Sequence, residues 1–198
     1  MINYNTLGSN IRRKIIGFSE KICEGLSRPE FKFVSQMLYG ILSAQSCHLS
    51  EIARKLNETT RLKKVIDRLS NNLNAFGNGQ KLFDNYIKKV KNTISNKTIL
   101  IIDGGDITKP CSPKLEGIAT VRDGSTGGYG KGYHTLEVTA LTPEKKMPVS
   151  VYTRIYSAEE KGFVSEDTEV LNALEFLSNH FKKSNIRALD RGYDANIA

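Results

Sequence analysis

The chain has 198 residues, of which 39% are hydrophobic and 25% charged, an ordinary composition for a globular protein of one domain or two small ones. No apolar run approaches the roughly 20 residues of a membrane-spanning helix, and the polar N-terminus lacks the hydrophobic core of a signal peptide. The three cysteines are widely spaced, which argues against a disulfide framework or a zinc site. These features predict a cytoplasmic protein with no membrane partner.

Positive charge is concentrated in the first half of the chain. Residues 1–97 carry 17 Lys and Arg against 7 Asp and Glu, a net charge of +10 (17 minus 7), whereas residues 98–198 carry 12 against 14, a net charge of −2. A basic half joined to a mildly acidic one indicates that the basic half meets a polyanion, and nucleic acid fits best. A solvated Lys-rich surface is the alternative that charge alone leaves open.

Apolar residues at three- and four-residue spacing predict helices over residues 8–95. Within them, a short helix over 50–56, with Ser50 as its N-cap, precedes a tight turn at 57–58 and a longer helix over about 59–73. A short helix, a turn and a second helix form the helix-turn-helix arrangement. An ordinary helical hairpin whose charges face water is the competing interpretation.

Cationic side chains mark the outer face of the longer helix. Arg61, Lys64, Arg68 and Asn71 fall opposite its apolar face, and Arg and Asn side chains suit guanine and adenine edges in the major groove of DNA. The helix therefore predicts contact with double-stranded DNA. The predicted DNA-binding residues are Arg61, Lys63, Lys64 and Arg68.

The spacing of apolar residues changes from helical to strand-like at Thr98, where five β-forming residues lead into Asp103. A short apolar run bounded by turn residues predicts a strand buried on both faces, which ends at Asp103 and leaves Asp106 in the glycine turn that follows. After a loop over 109–130, alternating side chains predict a β-hairpin over 133–155.

A helix capped by Ser165 and a second strand that ends in an aspartate, Asp190, complete the predicted elements. A right-handed crossover brings the second strand beside the first and parallel to it. Asp103 and Asp190 then meet at one sheet edge, where they predict a divalent-metal site. The alternative is that each aspartate only caps a turn.

The order of these elements is that of the opening of a ribonuclease-H-like sheet. The run from Asp103 through Gly-Gly-Asp-Ile-Thr-Lys-Pro and the later Leu-Asp-Arg-Gly-Tyr-Asp (189–194) resemble the first two acidic blocks of bacterial insertion-sequence DDE transposases, in the branch with a Tyr-Arg-Glu-Lys signature. The hairpin that begins at Gly130-Lys131-Gly132-Tyr133-His134 also lies where that family places one. The resemblance covers residues 98–198 well and the basic half loosely.

The resemblance implies an α+β or α/β chain: a basic helical domain over 1–97 with a helix-turn-helix, then a partial ribonuclease-H-like mixed sheet over 98–198. Asp103 and Asp190 become the first two catalytic carboxylates and ligands of Mg²⁺ or Mn²⁺. Asp106 is the competing choice for the first. The remaining residues of the motif, which would orient the ligands or contact DNA, are Asp106, Arg191 and Asp194.

One departure from the family pattern concerns the third carboxylate, which the family places far beyond the second. The chain ends eight residues after Asp190 (198 minus 190). We therefore expect the amino-terminal part of a transposase, arising from natural truncation, frameshift or fragmentation, and inactive alone.

The implied function is binding of transposon inverted-repeat ends in the bacterial nucleoid, followed by two-metal cutting and joining of phosphodiesters. A homodimer is one assembly compatible with it. A non-catalytic DNA-binding regulator and a different two-metal nuclease are the alternatives.

Overall fold

The computed structural model describes residues 4–112, 114–124, 126–142, 148–181 and 186–189, with side chains from residue 10 onward. Over these residues the chain has six helices and one mixed sheet of five strands, which confirms the α+β class. It divides into two compact units, Met1–Lys89 and Val90–Ala198. This division falls eight residues before the predicted domain boundary at 97/98 (98 minus 90).

The first unit is built from helices with clear local signals. The second helix begins at Arg28-Pro29, where proline is compatible with the first helical turn. The Glu30 carboxylate accepts hydrogen bonds from the Ser27 backbone N–H (2.9 Å) and hydroxyl (2.6 Å). The helices are α1 (Tyr4–Ile22), α2 (Arg28–Ala44), α3 (Leu49–Leu56), α4 (Leu62–Ala75) and α5 (Gly79–Lys91).

The core of this unit joins α2, α3 and α4. Ile52 of α3 and Leu69 of α4 are fully buried, in a cluster that also takes Phe33 from α2. A Cβ atom built on Gly40 of α2 would overlap the Ile52 side chain, so the absence of a side chain at Gly40 lets α2 and α3 approach closely.

The second unit contains a mixed sheet in the order β2-β3-β1-β5, with β4 also paired to β3. Its long central strand β3 is antiparallel to β1, β2 and β4, whereas β5 is parallel to β1. The predicted placement of the last strand beside the first, and parallel to it, is therefore confirmed. The elements are β1 (Ile99–Thr108), β2 (Ala119–Arg122), β3 (Tyr129–Leu141), β4 (Pro148–Tyr156), α6 (Glu166–His180) and β5 (Ile186–Leu189).

One face of the sheet, which we call the covered face, packs against α6. The rings of Tyr152 and Phe176 lie 5.2 Å apart, and Arg154 Nε lies 3.4 Å from Glu169 Oε2. Ser165 caps α6 as predicted, because its hydroxyl accepts a hydrogen bond from the Thr168 N–H at 3.1 Å. Fully buried side chains on this face include Leu100, Leu136 and Val138.

The opposite face, which we call the open face, corrects the prediction of a strand buried on both sides. Ile101 of β1 is 38% exposed and Ile155 of β4 is 54% exposed. A continuous apolar run predicted two covered faces, but among the described elements α6 covers only one.

The strand also does not end at Asp103. β1 continues through both glycines and Asp106 to Thr108, paired residue by residue with β3. A Cβ on Gly105 would lie 3.1 Å from Thr135 Oγ1, so the missing side chain leaves room for the Thr135 side chain. The two glycines that predicted a turn therefore lie inside a paired strand.

Two smaller predictions also fail. The loop predicted over 109–130 contains strand β2 and the first residues of β3, because a Gly-rich stretch hides strands that depend on non-local pairing. The N-cap of α3 is His48 rather than Ser50, although the helix ends at Leu56 as predicted.

Candidate functional site

Asp103 lies in the middle of β1, on the open face of the sheet. Its neighbour Ile102 is buried on the covered face. Successive side chains of a strand point to opposite faces, and Asp103 is accordingly exposed. Its carboxylate is therefore open to a ligand from solvent.

Glu137 is a second carboxylate at this position, and sequence reasoning missed it. It lies directly opposite Asp103 in the β1–β3 register and is also exposed. Side chains in such pairs have Cβ atoms about 4.5–5.5 Å apart, which lets two carboxylates share one divalent ion. The alternation of side chains along the predicted hairpin could have placed Glu137 on one face of the sheet. Only the register with β1 identifies Asp103 as its partner.

The pair of Asp103 and Glu137 has the chemistry of a hard-cation site. Like charges directly opposite each other destabilise a sheet, and a divalent ion would reverse that repulsion. Carboxylate oxygens are the ligands that Mg²⁺ and Mn²⁺ prefer. Among the described residues, no group of three or more Asp, Glu, His or Cys side chains could hold a metal ion.

The second predicted carboxylate, Asp190, lies outside the described residues, as do Arg191 and Asp194. The strand that leads to it is described up to Leu189, which pairs with Ile102 in parallel register. Leu189 directly precedes Asp190 in the sequence, just as Ile102 directly precedes Asp103.

Asp106 has a different environment from Asp103. Its carboxylate lies 2.8 Å from Nδ1 of His134, the residue opposite it on β3, and the two side chains are 24% and 18% exposed. The His134 ring stacks on Tyr156 at 5.4 Å between centroids. Three positions along a strand place Asp103 and Asp106 on opposite faces, so the structure does not bring them together.

The predicted helix-turn-helix corresponds to α3 and α4. Asn57 follows α3 in a left-handed conformation (φ 47°), which Asn adopts more readily than most residues. The turn directs α4 back across α3, so that Val65 and Leu69 join the core while Leu62 and Leu73 remain exposed. The arrangement therefore presents the opposite side of α4 to solvent.

The four predicted DNA-binding cations fall into two groups. Arg61, Lys63 and Lys64 are exposed around the start of α4. Arg68 instead makes two hydrogen bonds to the Glu58 carboxylate, at 2.8 and 2.7 Å. These bonds hold the pKa of Glu58 below its usual value. Arg68 thus ties α4 to the turn that precedes it.

A cavity of about 970 Å³ adds to the positive surface of the first unit. It is bordered by α1, α2 and the α3–α4 turn. The Arg12 guanidinium on its wall stands 5.7 Å from the centre of the Tyr39 ring. The cationic residues that line it are Arg12, Arg28, Lys32 and Lys55.

Comparison with known proteins does not assign either region. No protein-family model matches the sequence, and no curated protein matches it significantly. Among the described residues, no helix combines the length and apolar character needed to cross a membrane. The carboxylates on the sheet and the cations on the helices are therefore the features that bear on function.

Proposed function

We propose that this chain is a transposase-like DNA-binding protein. In this proposal, α3 and α4 bind double-stranded DNA, and the carboxylates of the open face hold a divalent ion against a phosphodiester. The observation that carries the proposal is the exposed pair of carboxylates, Asp103 and Glu137, on neighbouring strands, beside a strand, β5, that is parallel to β1.

The strand arrangement supports a ribonuclease-H-like reading of the second unit. A long antiparallel hairpin, β3 with β4, lies on one side of β1, and a parallel strand reached through a helix lies on the other. The short strand β2 is added to this arrangement by pairing with the first residues of β3. Fold similarity alone does not establish activity, so the proposal depends on Asp103 and its neighbours.

The residues fit Mg²⁺ or Mn²⁺ because Asp103 and Glu137 offer only hard oxygen ligands, and Asp190 would add another. When bound, the ion would polarise the phosphodiester and lower the pKa of an attacking water. Asp103 and Glu137 would position the ion on an exposed face that DNA can reach. We expect, as the resemblance implies, that cutting by this chain alone is absent or very weak.

Metal binding is tested by titrating MnCl₂ and MgCl₂ into the protein and following its thermal unfolding. At a metal concentration ten times the Kd, the wild type should gain about 1.4 kcal/mol of stability. Asp103→Asn and Glu137→Gln should each lose most of that gain. The control variant Glu175→Gln removes one carboxylate at an exposed position of α6 and should retain the metal-dependent gain in stability.

An unchanged gain in Asp103→Asn would contradict the metal site. Mg²⁺-dependent nicking of plasmid DNA that disappears in Asp103→Asn would instead show that the chain is active, against our expectation that it binds DNA without cutting.

DNA binding is tested by fluorescence anisotropy with a labelled duplex. The triple substitution of Arg61, Lys63 and Lys64 by Ala should weaken binding at least tenfold and lower its salt dependence, since each phosphate contact contributes about 0.9 to the log–log slope. Replacement of the exposed Lys88, Lys91 and Lys97 by Ala removes the same charge and should weaken DNA binding much less. Equal losses would indicate a nonspecific effect of net charge.

The second candidate is a DNA-binding regulator without catalysis. It is favoured by the compactness of the first unit, whose exposed cations are independent of the carboxylates. DNA binding that survives Asp190→Asn and Asp103→Asn, together with no metal-dependent stabilisation of the wild type, would select the regulator over the transposase-like protein.

A further inference from the structure

The end of β3 next to β2 presents an unusual set of exposed side chains, which we call the hairpin tip: Arg122, Tyr129 and Lys131. Tyr129 is 81% exposed, and Arg122 lies directly opposite it in the β2–β3 register. Lys131 lies two residues along β3, on the same face, and its Nζ is 3.2 Å from Thr120 Oγ1. An exposed aromatic residue therefore has two cationic neighbours, one across the strands and one along β3.

The backbone under these side chains is well fixed. The turn is closed by hydrogen bonds from the Asp123 N–H to the Gly128 carbonyl and from the Gly127 N–H to the Asp123 carbonyl, both 2.8 Å. Ala119 and Val121 anchor β2 through their buried side chains on the other face. The tip thus holds Tyr129 at a defined place without covering its ring.

The hairpin tip and the carboxylates share one face of the sheet. Tyr129, Lys131 and Glu137 are separated by even numbers of residues along β3, so their side chains point to the same side. Eight residues separate Tyr129 from Glu137 (137 minus 129), which corresponds to about 27 Å of strand.

The stretch of the open face between the tip and the carboxylates includes small side chains. Gly105 and Thr135 form the first pair beyond Asp103 and Glu137, and the larger Ile107 and Tyr133 form the second. The apolar residues Ile99 and Ile101 lie on the other side of Asp103, away from the tip. The carboxylates and the hairpin tip therefore lie on one face of the sheet, separated by two pairs of residues.

We propose that the hairpin tip is a second DNA contact, in which Arg122 and Lys131 bind backbone phosphates and Tyr129 stacks on an unpaired base. The inference rests on the proposed function, since it extends the DNA path away from Asp103. Two cations complement phosphate charge, and an exposed aromatic ring is the platform on which single-stranded bases stack. A strand frayed from a duplex end offers both groups together.

The experiment measures binding of the full chain to two fluorescein-labelled DNAs, a blunt duplex and the same duplex with a five-nucleotide unpaired tail. The wild type should bind the tailed DNA about five- to tenfold more tightly, at the lower end of measured base-stacking effects. Tyr129→Ala should abolish that preference, whereas Tyr129→Phe should keep it because the ring remains.

Charge is tested separately with single substitutions. Arg122→Ala and Lys131→Ala should each lower the salt slope for tailed DNA by about 0.7–0.9. Lys161→Ala removes an exposed charge elsewhere on the second unit and should leave the slope unchanged. Circular dichroism of every variant checks that the fold is retained.

The outcomes separate this inference from the function on which it rests. Equal binding of both DNAs by the wild type, or a preference that Tyr129→Ala retains, overturns the hairpin-tip contact but leaves DNA binding by α4 intact. No binding of either DNA by the wild type overturns both proposals.

Discussion

The two aspartates of β1 have opposite environments although three positions separate them. Asp106 is paired with His134 on the covered face, whereas Asp103 faces another carboxylate, Glu137, on the open face. The first arrangement contributes to stability, and the second opposes it unless a cation is bound. The strand therefore separates a structural carboxylate from one available for chemistry.

The same contrast recurs among the cations of α4. Arg68 is held by Glu58, whereas Arg61 and Lys64 are exposed at the beginning of the helix. Substitutions of the paired groups should therefore change the free energy of unfolding, and substitutions of the others should change ligand binding.

The largest expected effect contrasts apolar residues on the two faces. Leu136→Ala, on the covered face, should lower the free energy of unfolding by about 2–5 kcal/mol, because it leaves a cavity in a filled core. Ile155→Ala, on the open face, should cost less than about 1 kcal/mol. Urea unfolding measures both, and equal losses would mean that the open face is covered.

The next contrast concerns the two aspartates. Asp106→Asn should lower the free energy of unfolding by about 1–2 kcal/mol, since it removes a charged hydrogen bond to His134. Asp103→Asn should leave it unchanged or raise it slightly in metal-free buffer. Thermal unfolding in the presence of a chelator compares them, and a reversed order would contradict the assignment of Asp106 as structural.

A smaller effect is expected for the ion pair of α4. Glu58→Gln should cost about 0.5–1 kcal/mol at neutral pH, because the pair is partly exposed. Since the pKa of Glu58 is lowered in the folded state from its ordinary 4.5, its contribution is complete above that pH and is lost as the pH falls through the folded-state pKa.

Urea unfolding of wild type and Glu58→Gln at several pH values checks the sign of this pH dependence. The stability difference should be constant from pH 7 to about 5.5 and should shrink below pH 4.5. A difference that grows in acid would refute the link to Arg68.

The smallest expected effect is a gain in the free energy of unfolding. Glu137→Gln should raise metal-free stability by a few tenths of a kcal/mol, since it removes like-charge repulsion across the strands. Glu175→Gln is the control, and the gain should disappear at high salt, where exposed charges are screened. A loss of stability in Glu137→Gln would show that this carboxylate has a stabilising partner.

Local signals in the sequence predicted much of the fold. The cap at Ser165, the turn at Asn57 and the run that forms β1 each depend on neighbours within a few residues. The parallel placement of β5 followed from the handedness of crossover connections. These features required no knowledge of which distant residues meet.

The candidate site was less predictable because its details depend on register. Glu137 is identified as a candidate ligand only by its position opposite Asp103. Arg68 was predicted to bind DNA because it lies opposite the apolar face of the helix, whereas in the structure it binds Glu58 of the preceding turn. Gly104 and Gly105 predicted the end of a strand, and only the pairing with β3 explains why the strand continues. The role of Asp190 remains a prediction.

The parallel pairing of β1 and β5 has a consequence for synthesis of the chain. Ile99 pairs with Ile186, which follows 87 residues later (186 minus 99). At about 5–20 residues per second, β1 waits about 4–17 s for its last partner on the ribosome. During that time the β1–β3 pair can form, but one edge of β1 has free N–H and C=O groups. Nascent chains of the second unit are therefore most exposed to mispairing and chaperone capture before β5 emerges.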